Sequence, residues 1–216
     1  MTKILLTSAG MNMGKEIHTI LPKPSRELKL AHIITASTPE VNKEYVIKDR
    51  ERMMTMGFDV ENIDIEGKSE DTLRKILENK DIVYVQGGDT FYLLKQVQSS
   101  GFDTIVKEHI NKGKLYIGVS AGSCIASPTI EQSLWKHKGK NQYGLTDLSA
   151  LNLVPFLIFA HFKEENRELV EKGASGTKYP VVALSDTQAV LVIDGRWKVV
   201  GEGKREFYNG FVETLI

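Results

Sequence analysis

The sequence holds a single cysteine, Cys124. One thiol excludes an intramolecular disulfide and a cysteine-built metal site, and it suits a reducing cytoplasm. Charge of one sign is not in excess either. Lys plus Arg and Asp plus Glu both count 28, the formal charge is zero, and no block of five or more like charges occurs. Nucleic acid and anionic membranes both demand clustered positive charge, so neither is expected as the main partner. Long apolar runs are missing as well. Residues Met1 to Thr7 carry only three consecutive large apolar residues, Ile4-Leu5-Leu6, too few for a signal peptide or a membrane span. There is no Pro- or Ser-rich linker, internal repeat or low-complexity segment, so the 216 residues read as one domain over 1–216.

What is present is an alternation of short apolar runs with segments of helical period, the pattern of βαβ units and a mostly parallel sheet. Strands are predicted at Lys3 to Thr7, Ala31 to Thr35, Asp59 to Asp64, Ile82 to Gln86, Leu115 to Val119, Leu157 to Ala160 and Val181 to Leu184. Helices fit Lys43 to Met56, Ser69 to Glu78, Thr90 to Ser99, Asp103 to Lys112, Ala121 to Ala126 and Glu164 to Gly173. Near the end, Ala189 to Ile193 and Arg196 to Val200 flank Asp194-Gly195, a dipeptide that suits the positive φ angles of a type I′ turn. This predicts a hairpin added at a sheet edge. The fold class is α/β, three-layer α/β/α.

Gly118-Val119-Ser120-Ala121-Gly122 follows the apolar run Leu115-Tyr116-Ile117 and precedes small residues. This is G-x-S-x-G in a strand, turn, helix setting, which strains the serine backbone and lifts its hydroxyl above the sheet edge. The same pattern also serves as a plain βα turn. A serine hydroxyl needs a base. Of His18, His32, His109, His137 and His161, only His161 ends a predicted strand, where open α/β sheets place their sites. A third group should orient the imidazole, and Glu131 and Asp147 lie between Ser120 and His161. Gln86-Gly87-Gly88-Asp89-Thr90 follows another apolar strand. Its glycines permit close backbone approach, and Asp89 or Thr90 can cap the next helix. Gly10 to Glu16 hints at a phosphate loop, but its glycines are one residue too close and Glu16 stands where Ser or Thr would bind magnesium. Cys124 reads as a packed thiol.

Gly87 to Leu94, Leu115 to Gly122, Ser127-Pro128-Thr129-Ile130 and Ala160-His161-Phe162, in that order and spacing, resemble the peptidase E family of alpha-aspartyl dipeptidases and related cyanophycinases. The resemblance implies a class I glutamine amidotransferase-like (flavodoxin-like) fold with serine in place of cysteine. It implies hydrolysis of small peptides through an acyl-enzyme, with Ser120 as nucleophile, His161 as base and the N–H groups of Gly88 and Ala121 as oxyanion hole. No metal or organic cofactor is implied. Where the family's aspartate falls, this chain has Leu134-Trp135, and Glu131 becomes the expected triad acid. Asp89 replaces the family's asparagine, and Arg167 matches its substrate-binding arginine. These two are the expected substrate-binding residues. A carboxylate at position 89 would repel an acidic substrate unless it is paired or faces away. The alternatives are an esterase of the α/β-hydrolase type, which uses the order Ser, acid, His, and a binding domain without catalysis.

Overall fold

The computed structural model describes residues 1–136 and 141–215; His137 lies outside them. Strands β1 (Lys3–Thr7), β2 (Lys29–Ile33), β4 (Ile82–Val85) and β5 (Leu115–Val119) are almost wholly buried, as parallel strands covered on both faces must be. They join β3 (Asp59–Ile63), β8 (Gln188–Ile193) and β9 (Arg196–Gly201) in a seven-stranded sheet of order β3-β2-β4-β5-β1-β8-β9. The first five strands are parallel, and β8 pairs antiparallel with both β1 and β9.

Alternate residues of each strand feed opposite cores. Leu6, Val83, Val85 and Tyr116 pack with α3 (Glu70–Leu77), α4 (Thr90–Ser100) and α5 (Phe102–Asn111) through Leu73, Leu94 and Val106. Leu5, Ile82, Tyr84 and Ile117 pack on the other face with Ile17 of α1 (Gly14–Ile20) and Met53 of α2 (Glu44–Thr55). This period of two along each strand makes the three layers. At the β8–β9 turn, Asp194 and Gly195 have φ of 48° and 75°, the positive values a type I′ turn needs.

The remaining strands depart from the sequence expectation. β6 (Leu157–Ala160), β7 (Val181–Leu184) and β10 (Glu206–Tyr208) form a separate three-stranded sheet in which β6 and β7 are parallel. The edge of β1 is already taken by β8, with Leu5 opposite Leu191, so β6 and β7 pair elsewhere. One face of this small sheet enters the main core through Ile158, Val182 and Leu184. The other packs on α8 (Arg167–Ser175) through Val170 and Ala174, and Trp135 of α7 (Gln132–Lys136) stacks on Phe159. A short α6 (Ala121–Cys124) follows β5. Among the described residues no helix is long and apolar enough to cross a membrane.

Candidate active site

The register places Thr7 beside Val119 and Val85 beside Gly118. The loops leaving β1, β4 and β5 therefore meet at one edge, the usual location of sites in such sheets. At the end of β5 the chain reverses sharply. Ser120 has φ 46° and ψ −105°, a strained conformation for a non-glycine residue. The glycines around it are set by space. A Cβ on Gly118 would stand 2.6 Å from Gly122 O, and one on Gly122 would stand 2.1 Å from Val85 O. Ser120 N–H donates to Thr7 O at 3.0 Å, while Ser120 O accepts from the N–H groups of Ser123 and Cys124. Ser123 Oγ also donates to Thr7 O, at 2.8 Å. The strained turn is thus fastened to β1 from two positions.

His161 leaves β6 with φ 57°, and its ring crosses to the large sheet. Nε2 lies 3.0 Å from Ser120 Oγ, and Nδ1 lies 2.6 Å from Asp186 Oδ1. A carboxylate can only accept, so Nδ1 carries the proton and Nε2 faces the hydroxyl as an acceptor. Ser8, at the end of β1, completes the network. Its Oγ accepts from His161 N–H at 2.7 Å and donates to Asp186 Oδ1 at 3.0 Å. Asp186 sits in the tight β7–β8 turn, closed by Gln188 N–H to Ser185 O and Ser185 N–H to Gln188 Oε1.

The carboxylate on His161 is therefore Asp186, not Glu131. Glu131 precedes α7 and lines a separate cavity of about 380 Å³ with Trp135, Leu169 and Lys172. Asp147 is also elsewhere, accepting from Ser149 N–H at 2.8 Å, and the Ser149 hydroxyl together with that N–H holds its carboxyl below the usual range. Asp186 follows a short apolar strand by two residues, the same signal that singles out His161; it lay beyond the interval between Ser120 and His161. Arg167 is likewise committed to structure. Its guanidinium donates to Glu206 at 2.8 and 2.9 Å and to Tyr208 Oη at 3.3 Å, pairs with Glu164, and stacks over Phe162. It ties the start of α8 to β10, and Glu206 is held well below the usual carboxylate range by that pairing.

Gly88, with φ 140°, approaches the loop after β2 so closely that a Cβ would lie 2.2 Å from Ala36 O. Neither Gly88 N–H nor Ala121 N–H has an acceptor among the described residues. Asp89 caps α4: Oδ1 accepts from the N–H groups of Phe91 and Tyr92, and Oδ2 accepts from Tyr143 Oη. With both oxygens occupied, it is paired rather than offered to a ligand. Between Gly88, Cys124, Ile158 and His161 lies a cavity of about 70 Å³, with Lys136 also on its wall. Cys124 is buried there, and desolvation pushes its thiol up to about 11, which keeps it an unreactive thiol. A larger cavity of about 390 Å³ between α3 and α5 contains none of these groups.

Fold and site together define an α/β/α protein of the hydrolase class. The model of peptidase family S51 matches residues 4–200, and the chain belongs to that family of peptidases. It is 36% identical over 165 residues to an uncharacterized peptidase of Listeria monocytogenes, spanning 74% of this chain and 80% of that one. It is also 33% identical over 138 residues to peptidase E of Escherichia coli, spanning 59% and 55% of the two chains. The crystal structure of a candidate peptidase E protein from Listeria monocytogenes EGD-e superposes with a TM-score of 0.83 at 29% identity, covering 94% of this chain and all of that one.

Proposed function

We propose that the protein is a serine peptidase of short peptides, working through an acyl-enzyme. The observation that carries this is the chain of contacts from Ser120 Oγ to His161 Nε2 and from His161 Nδ1 to Asp186, built on a strained strand-to-helix turn. Ser120 Oγ attacks the scissile carbonyl while His161 Nε2 takes its proton, and Asp186 steadies the imidazolium that results. The carbonyl oxygen, now negative, is received by the N–H groups of Gly88 and Ala121. Collapse of the tetrahedral species breaks the C–N bond, and His161 returns its proton to the leaving amine. Water then repeats the cycle on the acyl-enzyme and frees Ser120.

The acyl side of the site favours a small acidic residue. The cavity beside Gly88 holds about 70 Å³, and Lys136, without a carboxylate partner among the described residues, stands on its wall. An amino-terminal aspartate fits both its size and its charge. The chain order Ser120, His161, Asp186 departs from the Ser, acid, His order of α/β-hydrolase esterases. The test pairs labelling with turnover. A fluorophosphonate should modify Ser120 and nothing else, and a dipeptide library should show hydrolysis led by Asp-X. Activity that survives Ser120→Ala on every cleaved peptide would sink the reading.

A further inference from the structure

A second cavity, of about 230 Å³, opens on the opposite side of Ser120 and His161, toward β1 and α2. Its wall carries Lys48 and Arg52, one helical turn apart on α2, together with Tyr45 and Asn12. Lys48 is matched by Glu44 at 2.8 Å. Arg52 is exposed, and Nη1 donates to Asn12 Oδ1 at 3.0 Å, which aims the guanidinium without neutralising it. It makes no ion pair among the described residues. Asp49 lines the same cavity and feels the charge of Arg52, but its carboxylate is turned to other donors, accepting from Tyr84 Oη at 2.9 Å, Gln86 Nε2 at 3.2 Å and Met11 N–H at 3.4 Å, and burial raises its carboxyl toward the neutral form. A guanidinium with donors to spare, on the wall of a cavity that Ser120 also lines, has the chemistry to receive a carboxylate.

We infer that Arg52 binds the free α-carboxylate of the residue that leaves, so that the site favours peptides ending one residue past the scissile bond. This rests on the peptidase reading and adds the far end of the substrate to it. Acyl and leaving residues run in opposite directions from the attacked carbon. If the small cavity by Lys136 takes the acyl side chain, the leaving residue enters the cavity by Arg52. In a dipeptide its carboxylate carbon is within about 4 Å of the attacked carbon, which brings it into reach of a long arginine side chain. A longer peptide places a neutral amide there and forfeits the charge-assisted pair.

The experiment compares the dipeptide that leads the library with the same dipeptide bearing a carboxy-terminal amide. Wild-type protein should favour the free acid by roughly tenfold or more in kcat/KM. Arg52→Gln should remove most of that preference by slowing the free acid several-fold more than the amide. Arg52→Lys should keep part of it, and Lys48→Gln, already matched by Glu44, should change it little. Equal rates of the wild-type protein on acid and amide overturn this inference alone, as does an Arg52→Gln variant that slows both substrates in parallel. Failure of the wild-type protein to hydrolyse either peptide overturns both this inference and the peptidase reading.

Discussion

The two sheets contribute to the site in different ways. The seven-stranded sheet supplies Ser120, whose position is determined by buried backbone: the hydrogen bond to Thr7, the strained φ, and glycines with no room for a side chain. The three-stranded sheet supplies His161 from the end of β6 and Asp186 from the turn after β7. Their side chains are 39% and 51% exposed. Ser120, the proposed nucleophile, is therefore fixed by packing, whereas His161 and Asp186, the proposed base and acid, are fixed by hydrogen bonds at the surface. Water competes with such bonds, so the geometry of the second group depends on a few atoms rather than on a core.

The largest test of this contrast removes the groups themselves. Ser120→Ala and His161→Ala should each lower kcat by about four to six orders of magnitude, with thermal melting left close to that of the parent. Next comes the acid. Asp186→Asn should cost about 10⁴ in kcat, because an amide opposite Nδ1 no longer fixes the tautomer. Glu131→Gln, remote from His161, should leave kcat within about twofold. Steady-state rates on one Asp-X dipeptide, measured for all four variants, rank them. A large loss for Glu131→Gln beside a small one for Asp186→Asn would overturn the geometric assignment.

The same division explains what could be read from the sequence. β1, β5, β6 and β7 lie where their apolar runs predict, because continuous Val, Ile and Leu between polar turns leaves little choice of register. The turn at Ser120 was legible because its cause is local: glycines on both sides of a serine after a strand. His161 was legible as a polar residue at a strand end. Asp186 satisfies that rule equally well, but pairing with a histidine is a contact in space, and chain order does not restrict it to residues before 161. Arg167 has the same lesson, since its partner Glu206 is 39 positions away. The splitting into two sheets was not legible because it turns on competition for one edge of β1, which the hairpin wins. β10, with three residues, and α7, with five, are too short to show a period.

Acid should weaken the large sheet before it weakens the small one. His32 in β2 and His109 in α5 are buried, and desolvation lowers both from 6.5 to about 4. The unfolded chain thus binds protons that the folded chain refuses. Their contribution is fully present above pH 6.5 and is lost as pH falls toward 4, by about 2 to 3 kcal/mol for each histidine. Asp49 has the opposite sign, since burial raises its carboxyl and protonation favours the folded state, so it offsets part of the loss. Urea melts at pH 7.5 and 4.5 should show the difference, and His109→Gln should flatten it. A pH-independent midpoint for the parent protein would contradict the burial of both rings.

Beside the bond between Ser120 and His161, the Ser8 side chain joins the two halves of the site, and its removal is the finest probe of the contrast. It stands on the large sheet, yet its hydroxyl bonds both His161 N–H and Asp186 Oδ1. Ser8→Ala leaves a backbone donor without its acceptor and takes one donor from the acid, while the nucleophile turn keeps every bond to Thr7. A cost of about 1 to 3 kcal/mol in transition-state stabilisation follows, or roughly tenfold to a hundredfold in kcat. The loss should fall on kcat and hardly on KM, because Ser8 acts through the base rather than on the peptide. Fluorophosphonate labelling of Ser120 should slow in proportion, since it draws on the same base. Ser8→Thr, which restores a hydroxyl at the same position, should recover part of the rate. If Ser8→Ala leaves kcat unchanged, the small sheet holds His161 and Asp186 in place unaided, and the distinction between a packed nucleophile and a tethered base collapses.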